Sequence, residues 1–308
     1  MKLKTVLWLV TLAWLWGIAF LFVDVAVRDI PPLTLVTTRV GAGAAILYAI
    51  LRAQGRRLNV SRVVWFHCGV VGLLYNAIPY ALLAWGQQYI DSALAAMFIG
   101  TTPLFTMILA HLFTQDDHFT PTKGVGVLIG FAGLGALLAP AFLDGVQATT
   151  YGLLAALVAA ISYAGAIVYG KQKAQGLPPL VGPTLQLTVA AIGLAPLALV
   201  FDRPYTLPLP SWSALSALLG LAVFSTALAF YIYYRAMETT SATILSMAAY
   251  LVPVVATVVG VLVLHEQLTW NVYLGCALII GGLMTVNGVF TFNRFQTYRA
   301  WLYGAQRL

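Results

Sequence analysis

The chain has 308 residues, 61% of them apolar and only 8% charged, and it carries a net charge of +7. A water-soluble fold of that balance would lack the polar surface to stay dissolved, so soluble classes are excluded. The positive charge does not imply a nucleic-acid partner, because it is distributed by membrane side rather than gathered into a patch.

Ten continuously apolar stretches follow in chain order, near 5–23, 33–51, 63–85, 92–113, 122–140, 151–170, 182–201, 211–234, 241–264 and 270–290. Each can cross a hydrocarbon core of roughly 30 Å. Their lack of alternation favours helices over a barrel. The first stretch follows Lys2 and Lys4 but is too long for a signal peptide and lacks a small-x-small cleavage site, so it reads as a retained signal anchor. With the N-terminus inside, thirteen of the sixteen lysines and arginines are cytoplasmic, Arg28 and Arg203 lie outside, and Arg39 falls within a span. The C-terminus is then cytoplasmic too, and the fold expected is an all-α multi-pass protein of a bacterial inner membrane. Cys68 and Cys276 sit inside spans and read as small apolar fillers.

The second half repeats the first. Ser92-Ala93, Asp117, Thr120, Gly126 and Gly133 recur 149 residues on as Ser241-Ala242, Glu266, Thr269, Gly275 and Gly282, and Pro103 recurs 150 on as Pro253. Trp16, Pro32 and Arg39 fall 147 residues before Tyr163, Pro179 and Gln186. The halves are 1–140 and 151–290, joined by Ala141–Thr150 and followed by a cytoplasmic tail at 291–308. Five spans per half is an odd number, so the second copy enters from the opposite side, giving two inverted five-helix repeats. That is the construction of alternating-access carriers. In the tail, Arg294, Arg299 and Arg307 interleave with Phe295, Tyr298, Trp301 and Tyr303, a pattern that fits an interfacial helix or a frayed end.

Trp16-Gly17, Pro31-Pro32 and Arg39 resemble the opening of an EamA-type unit of the drug/metabolite transporter superfamily. Tyr250-Leu251-x-Pro253, His265-Glu266-x-Leu268-Thr269 and Gly275 resemble its closing half. The likeness spans about 1–290 and rests on doubled order and spacing, since no single motif is specific. It implies a ten-helix exporter of small metabolites with spans 1, 3, 4, 6, 8 and 9 around a central cavity and spans 5 and 10 peripheral. Within the family it resembles exporters of aromatic and other uncharged amino acids (YddG-like), a subtype that the resemblance does not fix. Copy one departs at Gly100-Thr101-Thr102, where copy two has Tyr250-Leu251-Val252, so the cavity need not be symmetric.

Polar groups inside spans are costly and mark pathways. Arg39 is the one charge well inside a span; it reads as a counter-charge for a substrate carboxylate, as a latch on helix carbonyls, or as a fixed structural tie. Its counterpart Gln186 and the prolines Pro79, Pro103 and Pro253 are candidate gating or structural residues, because a mid-span proline interrupts the hydrogen-bond ladder. The substrate-binding candidates are Trp16, Tyr75, Asn76, Tyr80, Thr101, Tyr163, Thr226, Ser246 and Tyr250. Aromatics there can equally be packing, whereas an amide at the depth of Asn76 requires partners. Glycines at 126, 130, 133, 275 and 282 read as close helix contact, within the chain or in a homodimer.

Catalytic signatures are absent. His265-Glu266 is followed by Gln267-Leu268-Thr269, so no second histidine completes a zinc helix, and no glycine-rich phosphate loop precedes a helix. The expectation is a secondary transporter without cofactor or metal, exporting small, largely uncharged metabolites, amino acids foremost, with membrane lipid as its surroundings. The rival classes are a lipid-active membrane enzyme, which would need clustered His, Asp or Glu at one interface, and a sensor or scaffold without transport.

Overall fold

The computed structural model describes residues 3–114, 120–143, 147–174, 176–178, 180–237 and 248–286, without the side chains of 3–4, 140–143 and 237. The described residues form helices and connecting loops and include no strand. The helices are α1 (Leu3–Val27), α2 (Pro32–Ala53), α3 (Arg62–Gly86), α4 (Ser92–Phe113), α5 (Pro121–Leu143), α6 (Ala148–Lys173), α7 (Val181–Asp202), α8 (Trp212–Ala236), α9 (Ala248–Val263) and α10 (Trp270–Val286). The first eight are long and apolar enough to cross a membrane; α9 and α10 are shorter apolar helices that border undescribed residues. For α1 to α8 the expected bounds agree to within four residues, and α4 matches its expected stretch at both ends; the expected start of α9 at 241 and end of α10 at 290 lie outside the described residues.

Local chemistry explains the starts. Pro32 and Pro121 open α2 and α5, where a missing N–H costs nothing. Ser61 and Ser211 sit at equivalent N-caps of α3 and α8 and accept from Val64 N at 3.4 Å and Ala214 N at 3.3 Å. Two helices widen in the middle: α3 has a π turn at Leu73–Ala77 and α8 one at Leu221–Leu228. In α3 it accommodates Pro79, which cannot donate to Tyr75. α4 is interrupted at Gly100–Thr101 and restarts at Thr102 with Pro103 in its first turn. Its counterpart α9 runs through Pro253 without a break, so the expected pair of interrupted helices is found in the first half alone.

The principal helix pairs are α5–α10, α2–α7, α1–α9, α4–α6, α1–α8, α3–α6, α2–α8, α3–α7 and α4–α9. Exchanging the first five helices for the last five maps this set onto itself. Besides a small group of Leu9, Leu12, Ala236 and Ala248, the apolar interior divides into two large clusters. One is built mainly from α1, α2, α3, α7 and α8, the other mainly from α4, α5, α6, α9 and α10, and Tyr163 packs against both. The packed bodies are therefore not the sequence halves, because each draws helices from both.

Cross-links sort the loops to two ends. At one end Glu266 meets Ser92, Asp202 meets Thr34, Asp29 meets Ser211, and Gln87 donates to the Phe20 carbonyl at 2.9 Å. At the other, His67 Nδ1 lies 2.7 Å from the Tyr169 hydroxyl and Gln172 donates to the Phe113 carbonyl at 2.8 Å. The first end holds the loops expected outside, the second those expected inside. The glycine stripe is used internally: Gly126 lies against Gly282 and Val286, and Gly133 against Gly275 and Ile279, so α5 and α10 run antiparallel at near-backbone contact.

Candidate functional site

α2, α3, α6 and α8 bring one polar and aromatic group together in mid-bundle. Arg39, only 6% exposed, donates from Nε to Thr226 Oγ1 at 3.0 Å, and its guanidinium carbon lies 3.9 Å from the centroid of the Tyr80 ring. Gly43, one turn on from Arg39, leaves room for the Thr226 methyl, since a Cβ there would lie 2.7 Å from it. Among the described residues no carboxylate reaches Arg39; the ion pair found is Arg28–Asp24 on α1 and the loop after it. The cation is thus held by a hydroxyl and an aromatic face, and not by the helix carbonyls considered above.

From Tyr80 the aromatic contacts continue to Tyr163 at 6.5 Å and on to Tyr75 at 4.8 Å, both edge-on. Tyr75 and Tyr163 are half-buried although they pack against interior clusters. A second group joins Trp16 to Tyr233 at 5.8 Å and Tyr233 to Tyr234 at 5.6 Å. Tyr234 was not singled out from the sequence; a run of aromatics at the end of a span reads equally as an interfacial belt.

Asn76 is fully buried, and neither its amide oxygen nor its nitrogen has a partner among the described residues. Ser225, 1% exposed, likewise has an unpartnered hydroxyl. Ser162 was also missed: its hydroxyl donates to the Leu74 carbonyl at 2.7 Å, satisfying backbone loosened in the π turn of α3.

Other expected residues lie elsewhere. Thr101 is fully buried and donates to the Phe98 carbonyl at 2.6 Å, tying down the α4 interruption. Pro253 packs against that interruption, its Cγ 3.0 Å from where a Cβ on Gly100 would stand. Tyr250 is half-buried against the second cluster. The backbone of Gln186 meets Gly72, bringing α7 and α3 together, and its side chain is half-buried beside Gly182. Ser246, Asp117, Pro179, the Ser241-Ala242 pair and the tail lie outside the described residues.

At the acidic end, Glu266 bridges the two repeats. His265 adopts a left-handed φ of 57° and turns the chain back, so the Glu266 amide reaches the Gly260 carbonyl at 3.1 Å. The carboxylate accepts from Ser92 N at 2.8 Å, Ser92 Oγ at 2.5 Å and Ala93 N at 3.1 Å, capping the positive N-terminus of α4. Burial raises the Glu266 pKa above its ordinary value; the bonds from Ser92 and Ala93 oppose this, and the charge of Asp91 adds to it. Asp91 is raised by partial desolvation and then by Asp24, while Asp29 is lowered by its bonds from Ser211.

Comparison with known proteins places this geometry. The sequence model of the EamA-like transporter family matches residues 3–139 and, a second time, 150–288. The uncharacterized transporter YoaV of Bacillus subtilis (strain 168) is 29% identical over 94% of this chain and 98% of its own length. The uncharacterized inner membrane transporter YedA of Escherichia coli (strain K12) is 27% identical over 88% of this chain and 87% of its own length. A solved crystal structure superposes with a TM-score of 0.66 over 93% of this chain and 98% of that one; at 23% identity it shows a shared fold.

Proposed function

The chain belongs to the EamA-like transporter family, and from that premise we propose that it is a secondary carrier exporting small, largely uncharged metabolites, amino acids foremost, across the inner membrane by alternating access. Family and relatives make it a membrane transporter rather than an enzyme. The finer reading is supported by one observation above the rest. Arg39, Tyr80, Tyr163, Tyr75 and Thr226, drawn from both repeats, meet in mid-bundle, with Asn76 and Ser225 buried and unpartnered on the same helices.

Two inverted five-helix repeats, 1–140 and 151–290, account for the exchange symmetry of the helix pairs. The two apolar clusters are then the bodies that move against each other, with Tyr163 at their contact. The described residues place Asp29, Asp91, Asp202 and Glu266 at one end and Arg56, Arg57, Lys171 and Lys173 at the other, which supports cytoplasmic termini. Among the described residues no carboxylate reaches the central cation, which favours uniport over proton coupling through a buried acid. Aromatic side surfaces favour aromatic and other uncharged amino acids, as in the YddG-like type. The partners of this reading are the solute and membrane lipid, with neither nucleic acid nor cofactor; the inward use of the glycine stripe weakens the case for a homodimer on that face.

The test is counterflow of radiolabelled amino acids into liposomes holding the purified protein, with and without a pH gradient. Saturable exchange without a gradient is expected. No exchange of any member of a broad panel refutes the carrier, and strict dependence on the gradient refutes uniport. Membrane-impermeant thiol labelling of Arg56→Cys and Lys171→Cys checks the topology: labelling from opposite sides refutes inverted insertion.

A further inference from the structure

The central cation is built as if to receive something. A guanidinium has five N–H donors in a planar fork. Arg39 uses Nε on Thr226 and one ring face on Tyr80, and among the described residues nothing accepts from its two terminal nitrogens. Asn76 lies four residues before Tyr80 on α3, inside the π turn that precedes the ring on which the guanidinium rests. It is the residue with both polar side-chain atoms buried and unpartnered among those described. Ser225 adjoins Thr226 on α8 and adds a third unsatisfied group. Buried polar groups are nearly always hydrogen-bonded, and a buried cation calls for an anion.

The donor set defines that anion. Two terminal guanidinium nitrogens match the two oxygens of a planar carboxylate in parallel bonds. A side-chain amide and a hydroxyl add single donors beside it. A phosphate dianion would need a second positive charge, and among the described residues the other lysines and arginines of the spans, Arg52, Arg62, Lys123, Lys171, Lys173 and Arg235, stand at span ends, none in mid-span beside Arg39. Tyr75 and Tyr163 supply ring surface for the remainder of the molecule.

Building on the carrier reading, we propose that Arg39, with Asn76 and Ser225, is the subsite for a carboxylate of the transported solute, so that the substrates are zwitterions carrying a free carboxylate. Solute then takes the terminal nitrogens while Nε stays on the Thr226 hydroxyl and the guanidinium on the Tyr80 ring, so occupancy joins α2 to α3 and α8 through one side chain.

The full-length protein in phosphatidylcholine vesicles is tested with phenylalanine, phenylalaninamide and phenethylamine. Wild type should exchange the acid at least about tenfold faster than either analogue, as loss of a charge-assisted bond predicts. Arg39→Met should abolish the preference, and Arg39→Lys should keep part of it. Asn76→Asp, which sets a fixed carboxylate in the proposed subsite, should invert it towards the amide and the amine. Equal exchange of acid and amide by wild type overturns the subsite, as does an unchanged preference in either Arg39→Met or Asn76→Asp. If Arg39→Met is not monodisperse, Asn76→Asp and Arg39→Lys decide. Ligand-induced shifts in melting temperature separate this proposal from the carrier reading. A shift with the acid but not the amide, in a protein without flux, keeps the subsite and removes the carrier; flux without carboxylate preference does the reverse.

Discussion

The α5–α10 seam and the α2–α3–α8 centre are built on opposite rules. Along the seam, glycines let two backbones touch: a Cβ on Gly282 would stand 2.5 Å from the Gly126 carbonyl and 2.6 Å from Gly130 N. In the centre, a cation, an amide and a hydroxyl lie buried with hydrogen-bonding capacity unused. A membrane offers little hydrophobic drive between helices, so close packing is what holds the periphery together. Unsatisfied polar groups oppose stability, and their presence in the centre marks where folding has been compromised for function.

The contrast breaks most visibly at the seam. Gly282→Val should cost about 3 kcal/mol or more, because rigid backbone occupies the space a side chain needs. Its neighbour Gly281, with nothing within 4 Å of its Cβ position, is the control, and Gly281→Ala should leave the melting temperature in detergent unchanged or slightly raised. Next comes the centre, where the effects should part company. Arg39→Met should hold or raise the melting temperature, since replacing a buried charge by an apolar chain is often neutral or better, while exchange of the carboxylate substrate falls about tenfold. Asn76→Leu should stabilise by about 1 kcal/mol, the order expected on removing an unpaired buried amide, and should lower exchange. A large loss of stability in either variant would mean that the centre is a structural core like the seam.

The smallest effect concerns Glu266. Its folded pKa is raised, so the folded chain holds the proton more tightly than the unfolded one. That contribution is complete below the ordinary value of 4.5 and is lost as pH climbs through the raised value. The melting temperature of wild type relative to Glu266→Gln should therefore decline over that window and be flat above it. A relative rise would show that the Ser92 and Ala93 bonds outweigh burial.

Much of the architecture was legible in the chain, for a physical reason: a helix that must span a bilayer declares itself by length and apolarity. Expected and observed bounds coincide for α4, and the doubled order of glycines and prolines was visible because it recurs at nearly constant offsets of 147 to 150. The site was less legible. Arg39 was conspicuous as a lone intramembrane charge, yet its acceptor lies 187 residues away on α8, and nothing local marks that pairing. Ser92 and Glu266 both served as repeat landmarks, but their meeting across 174 residues depends on the His265 turn. Pro103 and Pro253 look alike in sequence; one follows an interruption and the other sits in a continuous helix, because Gly100 and Thr101 allow the break that Tyr250 and Leu251 do not.

The widened turns of α3 and α8 carry one more consequence. A π turn packs an extra residue into a helical loop, and that surplus can pass to the next position by exchanging one backbone bond for another. Such a slip swivels the stretch between the old and new positions while the rod keeps its length. In α3 the surplus lies at Tyr75 and Asn76, and in α8 at Ser225 and Thr226. The groups around the guanidinium therefore stand on two ratchets, each able to re-aim its side chains while the ends of both helices stay where they are.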